Sequence, residues 1–494
     1  MLENSSKPSS KKDILAFVNE LEEKFPVYEW KYEGIDLWPF IRQLIFQHFL
    51  KKKITTKKKR KAISIKNLFR SYRAYSKFFR SLTQIEFLFS AYEAHRNRIH
   101  NISFNRFADP VMDQLLELSY TSLLLEQSKT DKVTSSVYKR ERFQALDNAL
   151  EWINIKFKIR KKLIKQKPII LIGFDDFLSH ISKVDIALIK KINRTRVGNI
   201  ALRVRENKLF AKMLLKRTKP KAVLLVCYYG EWQQALIVAA KEKNIPTYDI
   251  QHGIIYEEHY SYGKFSGFPA TGLSTLPDFF CTWSKYEANI LNSWLPNSSH
   301  KAIPLGNPWL MAFQENKVPK IQNLSEIIEL NKKLILYTLG NRGEQFPPYL
   351  VSLIRENSSE YEFWFRLHPR QLFELEKIKQ ELSELGIINL VNIEEGTFQP
   401  LPNILNHTDL HITLMSSVAI EAANMGVPSI ILHKEGREYY EDHEIRTYCT
   451  FFEEGDDLGD QVRTVLSLKL QSRSYEVGLK ELTRKIVSTT SENY

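Results

Sequence analysis

The sequence predicts an α/β protein made of two parallel αβα units that face a central cleft, preceded by a helical extension. Three observations predict it. A chain of 494 residues is too long for one ordinary core, so about two domains are expected. Short apolar runs of the kind that form buried strands alternate with helix-like stretches, and they do so in two separate series. Between the series lies LGNPWLMAFQENKVPKIQNLSEIIELNKK (305–333), whose prolines and recurrent asparagines read as a connection between domains.

Residues 1–85 read as helices with a basic loop between them. In WPFIRQLIFQHFL, Ile41, Leu44, Ile45 and Phe49 fall at helical spacing. The first unit, 86–312, carries strand-like runs at 85–91, 168–174, 222–229, 246–250 and 278–283. The second, 334–475, carries them at 334–340, 361–368, 387–393, 409–414 and 428–433. A basic helix around LKELTRKIV (479–487) is expected within 476–494.

Apolar residues make up 43% of the chain and charged residues 26%, a balance that supports a folded core and excludes a disordered chain. Cys227, Cys281 and Cys449 are far apart, so neither a disulfide framework nor a thiolate zinc site is indicated. The start is polar and no run of about eighteen apolar residues occurs. These features predict a cytoplasmic protein without a membrane span.

The net charge of +14 is unevenly placed. No acidic residue occurs between Asp36 and Glu86, and the densest run is KKKITTKKKRK at 51–61. After an apolar helical stripe, such a run suits an anionic membrane surface on the inner face of the cell, at roughly 1 kcal/mol per Lys or Arg. A solvated loop after a core helix explains it equally well. Nucleic-acid binding is not expected, because the run lacks interleaved aromatics.

Parallel sheets bind ligands beyond the carboxyl ends of their strands, so the residues there carry the candidate chemistry. TYDIQHGIIYEEH (247–259) places His252 at such an end, where an imidazole can exchange protons or bond a phosphate, and Gly253 permits a sharp turn or a close approach. Gln251, Glu257 and His259 are candidates for the acceptor side. YTLGNRGEQFPP (337–348) offers Arg342 in a glycine-containing turn suited to an anion. In FWFRLHPRQ (363–371), Pro369 forces His368 into an extended conformation beside Arg366, a phosphate-clamp pattern. DLHITLMSSVAIEAANMGVPSIIL (409–432) ends a strand at Leu414. It caps a helix with Ser416 or Ser417 and closes it at Gly426. The serines and free N–H groups suit an anion, and Glu421, one turn further on, suits vicinal ribose hydroxyls. EEGTFQPLPNIL (394–405) reads as a loop in which Thr397 is placed to meet a nucleobase. No GxGxxG, Walker A pattern or metal-ligand cluster is evident, so no metal and no resident cofactor are expected.

SSVAIEAANMGVPSII resembles the donor-site signature of GT-B glycosyltransferases of bacterial capsule and surface-polysaccharide biosynthesis. The paired RLHP and QHG motifs resemble those of teichoic-acid glycerophosphotransferases and of capsule transferases that use CMP-activated sugars. The likeness covers roughly 220–435, with only general pattern such as GIDLWPFIR (34–42) before it. It implies two Rossmann-like domains, an acceptor domain at 86–312 and a nucleotide-sugar donor domain at 334–475. It also implies a metal-independent transferase moving a sugar to a surface polysaccharide or lipid-linked glycan. Arg342, Arg366, Ser416 and Ser417 would grip the donor diphosphate, Glu421 the ribose, and His252 and His368 would be catalytic. A CDP-glycerol-type glycerophosphotransferase and a nucleotide-sugar epimerase on the same fold are the alternatives.

Overall fold

The computed structural model describes residues 7–50, 65–128, 136–163, 169–295, 299–329, 331–340, 345–453, 455–468 and 478–492. Its frame is two parallel sheets. The first contains strands β1 (Phe87–Tyr92), β2 (Ser122–Gln127), β3 (Phe143–Ala145), β4 (Ala222–Val226), β5 (Thr247–Ile250), β6 (Phe279–Thr282) and β7 (Lys301–Pro304). The second contains β8 (Lys333–Thr338), β9 (Tyr361–Arg366), β10 (Val391–Asn392), β11 (Leu410–Thr413), β12 (Ser429–Ile431) and β13 (Cys449–Phe451). The spatial order is β3-β2-β1-β4-β5-β6-β7 in the first and β10-β9-β8-β11-β12-β13 in the second. Each sheet therefore reverses direction once, between β1 and β4 and between β8 and β11. These are the switch points at which doubly wound sheets open a crevice. The α/β class with two Rossmann-like units is as the sequence predicts.

Burial on both faces explains why the strands read as near-continuous apolar runs. Every residue of β4 is buried, and of β8 only Lys333 is exposed. One polar exception is His411 in β11, fully enclosed and bonded to Thr338 Oγ1 at 2.8 Å and Ser429 Oγ at 2.9 Å. Burial pulls its pKa down to about 3, so it stays neutral in the core.

Residues before β1 form a layer of the first sheet's core. Trp30, Trp38, Ile41 and Ile45 are buried in one cluster with Leu88, Leu125 and Phe177. The stripe in helix Trp38–Phe49 is thus core, and the basic run 51–61 lies outside the described residues. At the other end of the chain, helix Leu479–Glu492 crosses back onto the first sheet, where Tyr248 Oη meets Thr490 Oγ1 at 3.0 Å. Among the described residues no helix is long and apolar enough to cross a membrane.

Three readings need correction. In the described part of 168–174 there is no strand: Ile170 and Ile172 are 74% and 57% exposed, Leu171 is buried, and the buried Phe174 already opens helix Phe174–Val184. A strand that the sequence did not indicate, β2, pairs with β1 instead; its SLLLEQ sequence is rich in helix-forming leucine and glutamate. In 387–393 only Val391–Asn392 is strand, after a 3₁₀ turn at Ile388–Leu390. The expected loop 394–405 is helical at Ile393–Phe398 and Leu401–Leu405, because Asn392 caps the first helix through Glu395 N.

Candidate functional site

Residues beyond the carboxyl ends of both sheets meet. After β1, a hairpin of Arg96–Ile99 and Ile102–Asn105 brings Arg106 back beside His95, whose carbonyl accepts from Arg106 N at 3.1 Å and Nε at 3.4 Å. From the second sheet come Arg366, the last residue of β9, and Glu421, in the helix Val418–Asn424 that follows β11. The carboxyl group of Glu421 lies in the electric field of both guanidiniums, with Asn307 beside it. Asn307 itself caps helix Pro308–Gln314 by accepting from Trp309 N at 3.0 Å.

This cluster carries more positive than negative charge. Burial pushes the Arg366 pKa down to about 10, with Arg106 adding repulsion. Arg106 is also lowered by burial, and Glu421 opposes that shift. Burial raises Glu421 against the pull of both arginines. One carboxylate facing two guanidiniums in a desolvated setting is an arrangement that a further anion would complete. Arg366 is held in place by Nη1, which donates to Gly396 O at 2.8 Å and Gln399 O at 2.9 Å.

His252 extends the constellation from the first sheet. The chain turns after β4 because Cys227 adopts φ +72°, an unfavourable conformation for a non-glycine residue. That turn brings Tyr229 Oη within 3.2 Å of His252 Nε2. On its other side the His252 ring lies 5.2 Å from the His95 ring. Burial, His252 and Arg106 together hold the His95 pKa well below its usual value. His252, His95 and Arg106 thus adjoin one another beyond the first sheet, and Arg106 feels the charges of Glu421 and Arg366 from the second.

The turn at Cys227 is anchored by Asp249 in β5, which accepts from Tyr228 N at 3.0 Å and Tyr262 Oη at 2.6 Å. Burial raises this carboxyl to about 7 against those bonds. The folded state therefore keeps the proton to higher pH than the unfolded chain. Its stabilising contribution is complete below about pH 4 and is lost as pH rises through about 7. Asp249→Asn should flatten the fall in stability over that range, measured by urea unfolding at several pH values. An unchanged slope would contradict the assignment.

The other candidates are distributed as follows. His368 is anchored through its backbone: its N–H donates to Gln371 Oε1 at 3.1 Å, and Gln371 Nε2 reaches Gly340 O at 3.0 Å at the end of β8. Of the two serines it is Ser416 that caps, its Oγ accepting from Val418 N at 3.3 Å. Ser417 makes no side-chain cap. Gly426, at φ +82°, closes that helix. Arg342 lies outside the described residues.

Gln251, expected on the acceptor side, is instead 1% exposed, its amide joined to Gly253 O at 2.9 Å and Trp283 N at 2.6 Å. His259 stabilises a turn, its Nδ1 accepting from Ser261 N at 3.1 Å and Tyr262 N at 3.2 Å. Glu257 is exposed. Thr397 is buried on a helix, where its Oγ1 accepts from Leu367 N at 3.2 Å, so a nucleobase-facing loop does not exist there.

Gly253 has no positive φ, and a Cβ built on it meets nothing within 4 Å. Neither backbone strain nor packing requires glycine at this point beside His252. Gly253→Ala should leave the melting temperature within about 1–2 °C of wild type. A large fall would show that the turn itself needs the glycine.

Arg106, His95, Tyr229 and Asn307 were not singled out by the sequence. The one signal for Tyr229 is the Tyr-Tyr-Gly that ends the β4 run; the others lack a local motif.

No family model matches the chain, and no curated protein matches it. Among solved structures, the UDP-GlcNAc 2-epimerase from Methanocaldococcus jannaschii is 15% identical, with 82% of this chain and 100% of that chain covered at a TM-score of 0.48. The UDP-GlcNAc 2-epimerase from Neisseria meningitidis bound to UDP-GlcNAc is 16% identical over 82% and 100% at 0.48. The wall teichoic acid polymerase TagF is 11% identical over 87% of this chain and 98% of that chain at 0.45.

Proposed function

We propose that the chain is a glycosyltransferase that moves a sugar from a nucleotide-sugar donor to a surface polysaccharide or lipid-linked glycan. The observation that carries this reading is the under-neutralised pair Arg106 and Arg366 around Glu421, where the strand ends of the two sheets meet. Such a pair supplies fixed donors to an anionic leaving group in a site that excludes much of the solvent.

In the reaction, the acceptor hydroxyl attacks the anomeric carbon, and its proton passes to His252, oriented by the Tyr229 hydroxyl. The bond between the anomeric carbon and the phosphate oxygen breaks as the glycosidic bond forms. The nucleoside diphosphate leaves with the electron pair, its charge stabilised by the two guanidiniums. Arg342, His368, Ser416 and Ser417 belong to the same donor side in this reading. Glu421 contacts the ribose while offsetting the repulsion between the arginines.

Arg106→Met keeps the volume of the side chain and leaves Arg366 and Glu421 as a balanced pair. It should weaken nucleoside diphosphate binding about 10–100-fold, measured by calorimetric titration with UDP, GDP and TDP. Unchanged affinity would remove the observation on which the proposal stands. Conversion of the donor to an isomer with no acceptor present would replace transfer by epimerisation, and selective binding of CDP would favour a glycerophosphotransferase.

A further inference from the structure

We infer that helix Ile65–Ser81 is an interfacial helix that docks the protein onto an anionic lipid surface. Its sequence is IKNLFRSYRAYSKFFRS. At 100° per residue, Phe69, Tyr72, Arg73, Lys77 and Arg80 fall on one face, with Arg70 at its margin. That face points to solvent: Phe69 is 68% and Tyr72 52% exposed, and Arg70, Arg73, Lys77 and Arg80 are exposed. The opposite face holds the helix on the protein, through buried Ser71 and Phe78 and the Tyr75 and Phe78 rings against Phe210.

Phe69 and Tyr72 leave more than half of their surface in water, although the Tyr72 ring touches Trp152. An unpaired cluster of cations has no folding function. Among the described residues none of Arg70, Arg73, Lys77 and Arg80 forms an ion pair, and the sequence holds no acidic residue from 37 to 85. The adjoining helix Asp147–Leu163, in contact through the Trp152 and Tyr72 rings at 5.1 Å, also exposes Lys158 and Ile159.

Aromatic side chains interleaved with cations fit a bilayer interface: the rings enter the headgroup boundary and the cations meet anionic headgroups. Single-stranded RNA would also meet the cations and stack its bases on the rings, so binding of RNA with no binding to anionic vesicles would overturn the inference. This inference is independent of the nucleotide chemistry proposed above.

The test is co-sedimentation of the full-length protein with vesicles of phosphatidylcholine alone or of phosphatidylcholine with phosphatidylglycerol. The protein should partition onto the anionic vesicles and remain in solution with the neutral ones. Phe69→Ser, and Phe69→Ser with Tyr72→Ser, should weaken anionic-vesicle binding by about tenfold or more while the charge is unchanged. The single variant guards against loss of the Tyr72 contact with Trp152. Failure of the wild-type protein to bind anionic vesicles would overturn the inference. Equal binding by both variants would do the same, because it would reduce the surface to a non-specific polycation.

Discussion

His252→Ala is expected to lower turnover by about 10²–10⁴-fold while the protein melts as the wild type does. The ring is half-buried at the carboxyl end of β5, with Tyr229 on one side and His95 on the other. Burial keeps His95 from carrying a proton at neutral pH, so it does not replace His252 as a base. Removing the imidazole deletes contacts that include the Tyr229 hydroxyl and the His95 ring, and no part of either sheet. The measurement is steady-state transfer alongside a melting curve. Near wild-type turnover in a natively folded variant would show that His252 serves the turn and not the reaction. Tyr229→Phe should have a smaller effect, because it leaves the base and removes only its orientation.

Arg42→Met is expected to cost about 3–5 kcal/mol of folding stability, the largest loss predicted for any single substitution considered. Arg42 and Glu22 are both fully enclosed and joined through Nη1 and Oε1. Arg42 Nε also donates to Tyr260 O at 3.2 Å and Nη2 to Lys264 O at 2.6 Å, while its guanidinium lies 3.9 Å from the centre of the Phe265 ring. Glu22 accepts from Trp38 Nε1 at 2.7 Å and Ser266 N at 2.6 Å. Methionine fills the space but leaves a buried carboxylate without its cation and two carbonyls without donors. The pair also ties the N-terminal helices to residues 260–266, which continue the chain beyond His252. The variant should therefore lose activity at temperatures below its own melting transition. Urea unfolding measures the stability, and a loss below about 1 kcal/mol would mean that the pair contributes little beyond its own desolvation.

The frame and part of the site were legible in the sequence for the same reason. A parallel sheet buried on both faces produces apolar runs, and its ligand groups follow those runs directly. His252, Arg366 and Ser416 could be found that way, each at a strand end, and Glu421 in the helix that follows one. Thr397 and Gln251 follow strands as well, but their side-chain polar atoms are engaged by neighbouring backbone groups. Spacing alone does not distinguish these two cases.

Arg106 was not legible because its position depends on tertiary structure. The hairpin after β1 carries it to Glu421, more than three hundred residues further along the chain, and no local pattern records that meeting. The 168–174 run illustrates the reverse error. Its isoleucines satisfy a strand pattern, yet Trp30 Nε1 binds Ile172 O at 2.8 Å and fixes the segment as an irregular link above the N-terminal helices. The apolar periodicity of 38–49 identified a helix correctly, but its burial against the first sheet emerges only from the packing of Trp30, Trp38 and Phe177.

The central claim is that the meeting point of the two sheets grips a doubly charged leaving group. Calorimetric titration of the wild-type protein with uridine, UMP and UDP, and with the corresponding guanosine and thymidine series, tests it most directly. The account predicts that for one base affinity rises from nucleoside to monophosphate to diphosphate, by about tenfold or more at the last step. Equal affinity for nucleoside and diphosphate, or no binding by any diphosphate, would contradict it.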